Sequence, residues 1–264
     1  MRTVIAIAIL FSASLLAQPV AVRQTEGVVH GFLVIRSDDG TIVADEDSLQ
    51  TTRGSQIVYR SIIHFKDGSL QDETTVFTQS GHFRVISDHM VQKGPSFKHP
   101  LEMTIDTKSG EVTVVHTDDK GEQKTEREHM NLPADLANGI VPVLIKNLTA
   151  AQPSVTESMV VATPKPMLIK LQIHAEGEDS FSTGTVKHKA TRYNVHVDIG
   201  GLKGVVANLI GKEPPDTRVW ILLGDCPTFV KAEGPAFEGS PVWRTELVSP
   251  AWPTGGTGAP THEK

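Results

Sequence analysis

The chain is poor in the residues that staple, stack or span. Its 264 residues include a single cysteine, Cys226, which excludes an internal disulfide framework and every multi-cysteine zinc pattern. Aromatic residues make up 5%, so a core must be built mostly from aliphatic side chains. A basic excess is missing too. The formal charge of −6 and the isoelectric point near 6.0 argue against a nucleic-acid partner, which needs a basic face. Beyond residue 17 no apolar run approaches the ~20 residues of a bilayer-spanning helix. With 39% hydrophobic and 21% charged residues, the chain is neither disordered nor a multispan membrane protein.

The amino terminus is the most informative segment. Met1-Arg2-Thr3 is positively charged, and residues 4–17 are apolar except for Ser12 and Ser14. A charged start, a short apolar stretch and a small residue at its end make a secretory signal peptide, with cleavage expected after Ala17. The mature protein is then exported, periplasmic or extracellular, does not span the membrane, and is one unit more negative. With a single thiol its stability has to come from its core.

Residues 18–27 are polar and read as a mobile lead-in. From residue 28 onward, period-two segments dominate. Leu101, Met103 and Ile105 alternate with polar residues; so do Met167, Ile169, Leu171 and Ile173, and likewise Tyr193, Val195, Val197 and Ile199. Each such segment is a strand with one buried face. Between segments stand Asp39-Gly40, Asp67-Gly68, Ser80-Gly81, Ser109-Gly110, Lys120-Gly121 and Thr183-Gly184, where glycine supplies the positive φ of tight turns. The regular spacing reads as an up-and-down antiparallel meander, with no room for the helices of parallel βαβ units. Later strands are expected at 217–223, 229–233 and 242–248. Two segments break the rhythm: 134–148 has helical apolar spacing, kinked or split at Pro142, and 202–210 reads as a short amphipathic helix. Residues 253–264 carry nothing to bury and read as a disordered tail. One domain, 28–252, is the economical reading.

The chemistry-bearing residues make no strong motif. His188, His196 and Asp198 share strand parity, but eight strand residues span ~26 Å, too far for one metal ion. His89 shares parity with Phe83 and Val85 and is expected to point inward as a core histidine. Glu126-x-x-His129 lacks the helices and the second copy of a di-iron site. Cys226 sits between Asp225 and Pro227, where neither neighbour favours a thiolate, and reads as buried and inert. Gly200-Gly201-Leu202-Lys203-Gly204 has the wrong order for a phosphate loop. Asp198-Ile199-Gly200 faintly resembles an aspartic-protease motif, but Ile199 stands where a hydroxyl residue is needed. Asp198 and His196 are therefore the candidates for a hydrolase reading. Asn147-Leu148-Thr149 is a glycosylation triplet inside the expected helix and is discounted. Asp67, His64 and Asp88 have no partner identifiable from sequence. No cofactor or metal is expected. Trp220, Trp243, Phe237 and Tyr193, clustered in the last third, are the candidates to line a ligand pocket, against the plainer reading that they are ordinary core.

The carboxy-terminal pattern carries a resemblance. A long strand pair turns at Thr183-Gly184 and is followed by Pro215-Asp216-Thr217-Arg218-Val219-Trp220, then Asp225, Pro227, Phe229-Val230-Lys231 and a last strand ending near Leu247. With the helix entry Leu132-Pro133-Ala134-Asp135, this resembles a family of uncharacterised exported bacterial proteins related in architecture to periplasmic lipoprotein carriers, over residues 57–248. The resemblance implies a curved antiparallel sheet folded over helices as an open half-barrel. In the carriers the concave face holds acyl chains; the basic residue that helps retain lipid there has no counterpart in this sequence.

The expectation is a mainly β protein, a strongly curved antiparallel half-barrel around one or two short helices. Its expected role is non-enzymatic, binding or carrying an apolar or amphipathic, lipid-like ligand. The alternatives are a hydrolase using an Asp/His site and a structural or assembly partner of envelope proteins.

Overall fold

Alternating sequence makes strands, and turn glycines make them consecutive. A computed structural model describes residues 19–162, 165–199 and 214–248. Strands β1 (Val29–Arg36), β2 (Ile42–Arg53), β3 (Gln56–Phe65), β4 (Leu70–Ser80), β5 (His82–Lys93), β6 (Leu101–Asp106), β7 (Glu111–Thr117) and β8 (Gln123–His129) form a first meander. A crossover carrying the helix α1 (Val141–Lys146) leads to a second, built from β9 (Ser154–Val161), β10 (Met167–Thr183), β11 (Val186–Asp198), β12 (Thr217–Leu222), β13 (Thr228–Pro235) and β14 (Val242–Leu247). Every pairing is antiparallel and sequential, except that β1 pairs β14 and so joins the two meanders into one sheet. Among the described residues β8 and β9 are its two ends and do not pair.

The sheet is bent by residues that do not fit the ladder. Register shifts occur at Ile35/Arg36, Val76/Phe77, Ala175/Gly177 and Trp220/Ile221; each bulge bends and twists its strand. A half-barrel results, and one apolar cluster runs across its interior from Ile57, Phe77, Phe83 and Val85 to Leu171, Ile173, Tyr193, Val195, Val219 and Ile221. The crossover supplies Leu136, Ile140, Val143, Leu144 and Ile145 to that cluster, and α1 lies against β12 and β13. A second, smaller cluster of Ile35, Ala44, Ile63, Phe65 and Phe97, with Phe237 and Trp243 packed on it, closes one end.

The expected helix at 134–148 is corrected to six residues, Val141–Lys146. The segment before it is a pair of turns on either side of one bridge residue, Leu136, because its backbone is used elsewhere. Ser158 N donates to the Asp135 carbonyl at 2.9 Å and Ala137 N to the Ser158 carbonyl at 2.8 Å. The Asn138 amide side chain continues the ladder on Val160, donating at 2.8 Å and accepting at 2.9 Å. The crossover thus caps the open edge of β9, a row of groups that otherwise invites pairing with another chain. Gly139, at φ +66°, then turns the chain. Pro142 stands in the first turn of α1, where its missing N–H costs nothing, and causes no kink.

Two further expectations change. The extra residue in β5, Ile86, flips the strand's parity, so His89 points outward, exposed and hydrogen-bonded to Glu102 at 2.8 Å, while Asp88 points inward. Cys226 is exposed in the turn after β12, not buried, because the strand ends at Leu222 and leaves the thiol nothing to pack against. Residues 19–27, expected to be loose, are tied down. Val20 is in the core, Ala21 bridges His82, and Arg23 N and Gln24 N both donate to Asn147 Oδ1. That use leaves Asn147 only 2% exposed, which closes the glycosylation triplet to modification in the folded state. The helix expected at 202–210, the leader at 1–17 and the tail at 253–264 lie outside the described residues. No helix among those described is long and apolar enough to cross a membrane.

Candidate functional site

Strand register decides which polar residues meet inside the half-barrel. On β3, Ile57 and Ile63 face inward, so Tyr59 and Ser61 between them do so as well. Register then sets Ser61 opposite Ser48 and Glu73, Tyr59 opposite Gln50 and Thr75, and Thr75 opposite Asp88. Glu46 follows Ser48 on the same face of β2. The inner face of β2–β5 therefore carries a belt of Glu46, Ser48, Tyr59, Ser61, Glu73, Thr75 and Asp88. It lies between the large apolar cluster at one level and the Ile63–Phe65 cluster at the other. Glu46, Ser48, Tyr59, Ser61 and Glu73 are only half-buried, so water reaches the belt from within the barrel.

Hydrogen bonds fix part of the belt and leave part unsatisfied. Ser61 Oγ donates to Glu46 Oε1 at 2.7 Å, Ser48 Oγ to the Tyr59 hydroxyl at 3.2 Å, and Thr75 Oγ1 to Asp88 Oδ1 at 2.6 Å. Asp88 is fully buried, and its Oδ2 has no hydrogen-bond partner among the described residues. Gly139 presses on this point: a Cβ there would lie 1.8 Å from Thr75 Oγ1 and 3.3 Å from Asp88 Oδ1, so only glycine lets the crossover come this close. At the rim, Gln50 Nε2 donates to Glu26 Oε2 at 3.0 Å, and Lys146 of α1 holds Glu26 Oε1 at 2.7 Å.

Burial and mutual repulsion push the belt's acids toward their neutral forms. Glu73 is raised by burial first, then by the charges of Asp88 and Glu46. Asp88 is raised by burial, against the lowering effect of Thr75. Glu46 is raised by burial, with Ser61 opposing, and the Tyr59 phenol by burial and then Glu46. A separate acid, Glu157 on the inner face of β9, is 1% exposed, and its Oε1 has no hydrogen-bond partner among the described residues. Burial, then the charge of Asp135, raises it to about 8, with Lys170 opposing.

The outer face offers a different arrangement. An open groove of about 640 Å³ is lined by His174, Glu176, Arg192, Arg218, Trp220 and Glu233. Its charges are spent on one another. Arg192 bonds Glu176 at 2.9 Å and Asp179 at 2.6 Å, Arg218 reaches Glu176 at 3.4 Å, and Lys231 bonds Glu233 at 2.7 Å. Trp220 Nε1 donates to Asp179 at 2.7 Å, and the Lys231 ammonium lies 4.0 Å from the Trp220 ring centroid. Such a self-neutralised strap stiffens the sheet and leaves few groups to hold a ligand.

The residues singled out from sequence separate into several places. Phe237 and Trp243 come together, their ring centroids 5.9 Å apart, in the cluster that borders the belt. Tyr193 is buried in the main core, and Trp220 faces the outer groove. His196 Nδ1 pairs with Asp216 Oδ1 at 2.8 Å, and Asn194 Nδ2 donates to Asp216 Oδ2 at 2.8 Å. Burial works to raise the Asp216 carboxyl, but these bonds outweigh it and hold it below its ordinary value. Asp198 Oδ2 accepts from Gln172 Nε2 at 2.8 Å. Asp67 accepts from Ser69 N and Ser96 Oγ and serves its turn. Glu46, Glu73 and Tyr59 carried no sequence signal alone. Parity counted from Ile57 and Phe77 places them inside, where a run of polar residues is the anomaly.

An open antiparallel half-barrel with a crossover segment inside and a polar belt on part of its inner wall is the class this structure defines. No family model matches the chain, and no curated protein matches it. Among solved structures it is similar to a beta-barrel-like protein of the domain of unknown function DUF1849 from Brucella abortus. That likeness covers 84% of this chain and 94% of that one, at 10% identity and a TM-score of 0.44.

Proposed function

We propose that the protein is an exported binding or carrier module that holds an amphipathic molecule inside the half-barrel, against the inner face of β2–β5. The observation that carries this reading is the half-buried belt of Glu46, Ser48, Tyr59, Ser61 and Glu73 between two apolar clusters. Interiors are normally packed with apolar side chains to near-crystal density. A wall that is polar, reached by water and bordered by apolar surface is instead suited to a ligand with a polar end and an apolar body. The charged start and apolar stretch of residues 1–17 support export.

Native mass spectrometry of the purified protein, before and after addition of dodecyl maltoside, tests the reading. The expected result is a bound amphiphile of lipid-like mass that is lost when Ser61→Trp fills the interior. A protein that stays bare under both conditions contradicts it.

A further inference from the structure

We infer that the polar end of the bound molecule is a cationic, hydrogen-bond-donating group, an ammonium or guanidinium, received by Glu46, Glu73 and Asp88. This rests on the interior being the binding site and adds the charge of what enters it.

Acceptors outnumber donors where these three strands meet. Glu46 uses one oxygen on Ser61, Asp88 uses one on Thr75, and Glu73 finds no hydrogen-bond partner among the described residues. Asp88 Oδ2, on a residue with 0% exposure, has no hydrogen-bond partner among the described residues, an arrangement that costs free energy until a partner arrives. The nearby cation, Lys146, is committed to Glu26 at the rim. Carboxylates only accept, whereas an ammonium brings three N–H groups and a guanidinium five. Among the described residues a phosphate or sulfate head would meet three acids and no uncommitted base. A bare metal ion fits poorly as well, since among the described residues no three His, Cys, Asp or Glu side chains come close enough to ligate one. An organic cation reaches further, through N–H bonds of ~2.8 Å, and its apolar body continues onto the clusters on either side.

The same groups fix the direction of the pH dependence. The titratable side chains facing the site are Glu46 from β2, Tyr59 from β3, Glu73 from β4 and Asp88 from β5, with the Glu26–Lys146 pair at the rim. Burial holds the acids toward neutrality, so a cation binds by displacing protons and its affinity rises from pH 5 to pH 8.

Isothermal titration with three amphiphiles of one tail, dodecylammonium, dodecyl maltoside and dodecyl sulfate, each below its micellar concentration, tests this. The expected result is a preference for the ammonium of about tenfold or more, with protons released in buffers of different ionisation enthalpy. The preference should collapse in Glu73→Gln/Asp88→Asn. Binding of none of the three removes the binding reading itself. Equal binding of all three leaves that reading standing and overturns the cationic head. An ammonium preference that survives the double variant, or wild-type binding with no proton release, overturns the assignment of these residues; the second result does not depend on any variant folding.

Discussion

The two meanders share one strand pattern and treat their inner faces differently. On β10–β12 the inward residues Leu171, Ile173, Tyr193, Val195, Val219 and Ile221 are all buried, and α1 lies over the neighbouring β12 and β13. On β2–β4 the inward residues at the middle level are Glu46, Ser48, Tyr59, Ser61 and Glu73, which are half-buried, and Thr75, which is buried against Gly139. One crossover serves both halves. It adds apolar side chains to the core cluster that both meanders share, and it meets Thr75 and Asp88 at Gly139, which has no side chain to put there. The apolar core spans both meanders, and the contrast is confined to the polar stretch of β2–β4 that interrupts it.

Substitutions measure that division. The largest effects belong to the filled wall. Ile221→Ala and Leu171→Ala each cost about 2–5 kcal/mol in urea unfolding, whereas Ser61→Ala costs under about 1 kcal/mol; equal costs would erase the distinction. Gly139→Ala drives a methyl group into Thr75 at a left-handed backbone position and costs about 1–3 kcal/mol by overpacking. A neutral outcome there means that the crossover does not press on the belt.

A pH series sharpens the comparison further. Glu157, raised to about 8, keeps its proton in the folded state while the unfolded chain loses it near the ordinary carboxylate value. Its contribution is therefore fully present below the unfolded value and is lost as pH rises through about 8. The belt acids act in the same direction. The melting temperature falls from pH 5 to pH 8, and Glu157→Gln flattens part of that slope. The opposite slope would contradict the inward placement of these acids. The smallest effect is Tyr59→Phe, which removes one hydroxyl from a site water already reaches. It shifts stability by under about 1 kcal/mol but weakens amphiphile binding measurably.

Much of the fold was legible because alternation and turn glycines act locally. The segments at 101–106 and 217–222, and the turns at Gly40, Gly68, Gly81, Gly110, Gly121 and Gly184, follow from neighbours in sequence. What stayed hidden depends on distant partners. One inserted residue, Ile86, reverses everything after it on β5, exchanging His89 for Asp88 on the inner face. The segment 135–138 has helical apolar spacing, but the edge of β9 offers its backbone better partners than its own next turn does. The belt has no local signature because β4 is polar on both faces through Gln71-Asp72-Glu73-Thr74-Thr75. Only the register with Ile57 and Phe77 shows which of those residues turn inward. Trp220 looked like a pocket aromatic by composition, and parity puts it on the outer wall.

Thiol accessibility tests the central claim most directly. In a Cys226→Ser background, which removes the exposed native thiol, Ser61→Cys and Val195→Cys report on the open and the filled wall. A small methanethiosulfonate reagent should modify Cys at position 61 in the native protein about a hundredfold faster than at position 195, which waits for unfolding. Dodecylammonium should protect position 61 alone. Matched rates at the two positions, both tracking global unfolding, would contradict an interior open on one wall and closed on the other.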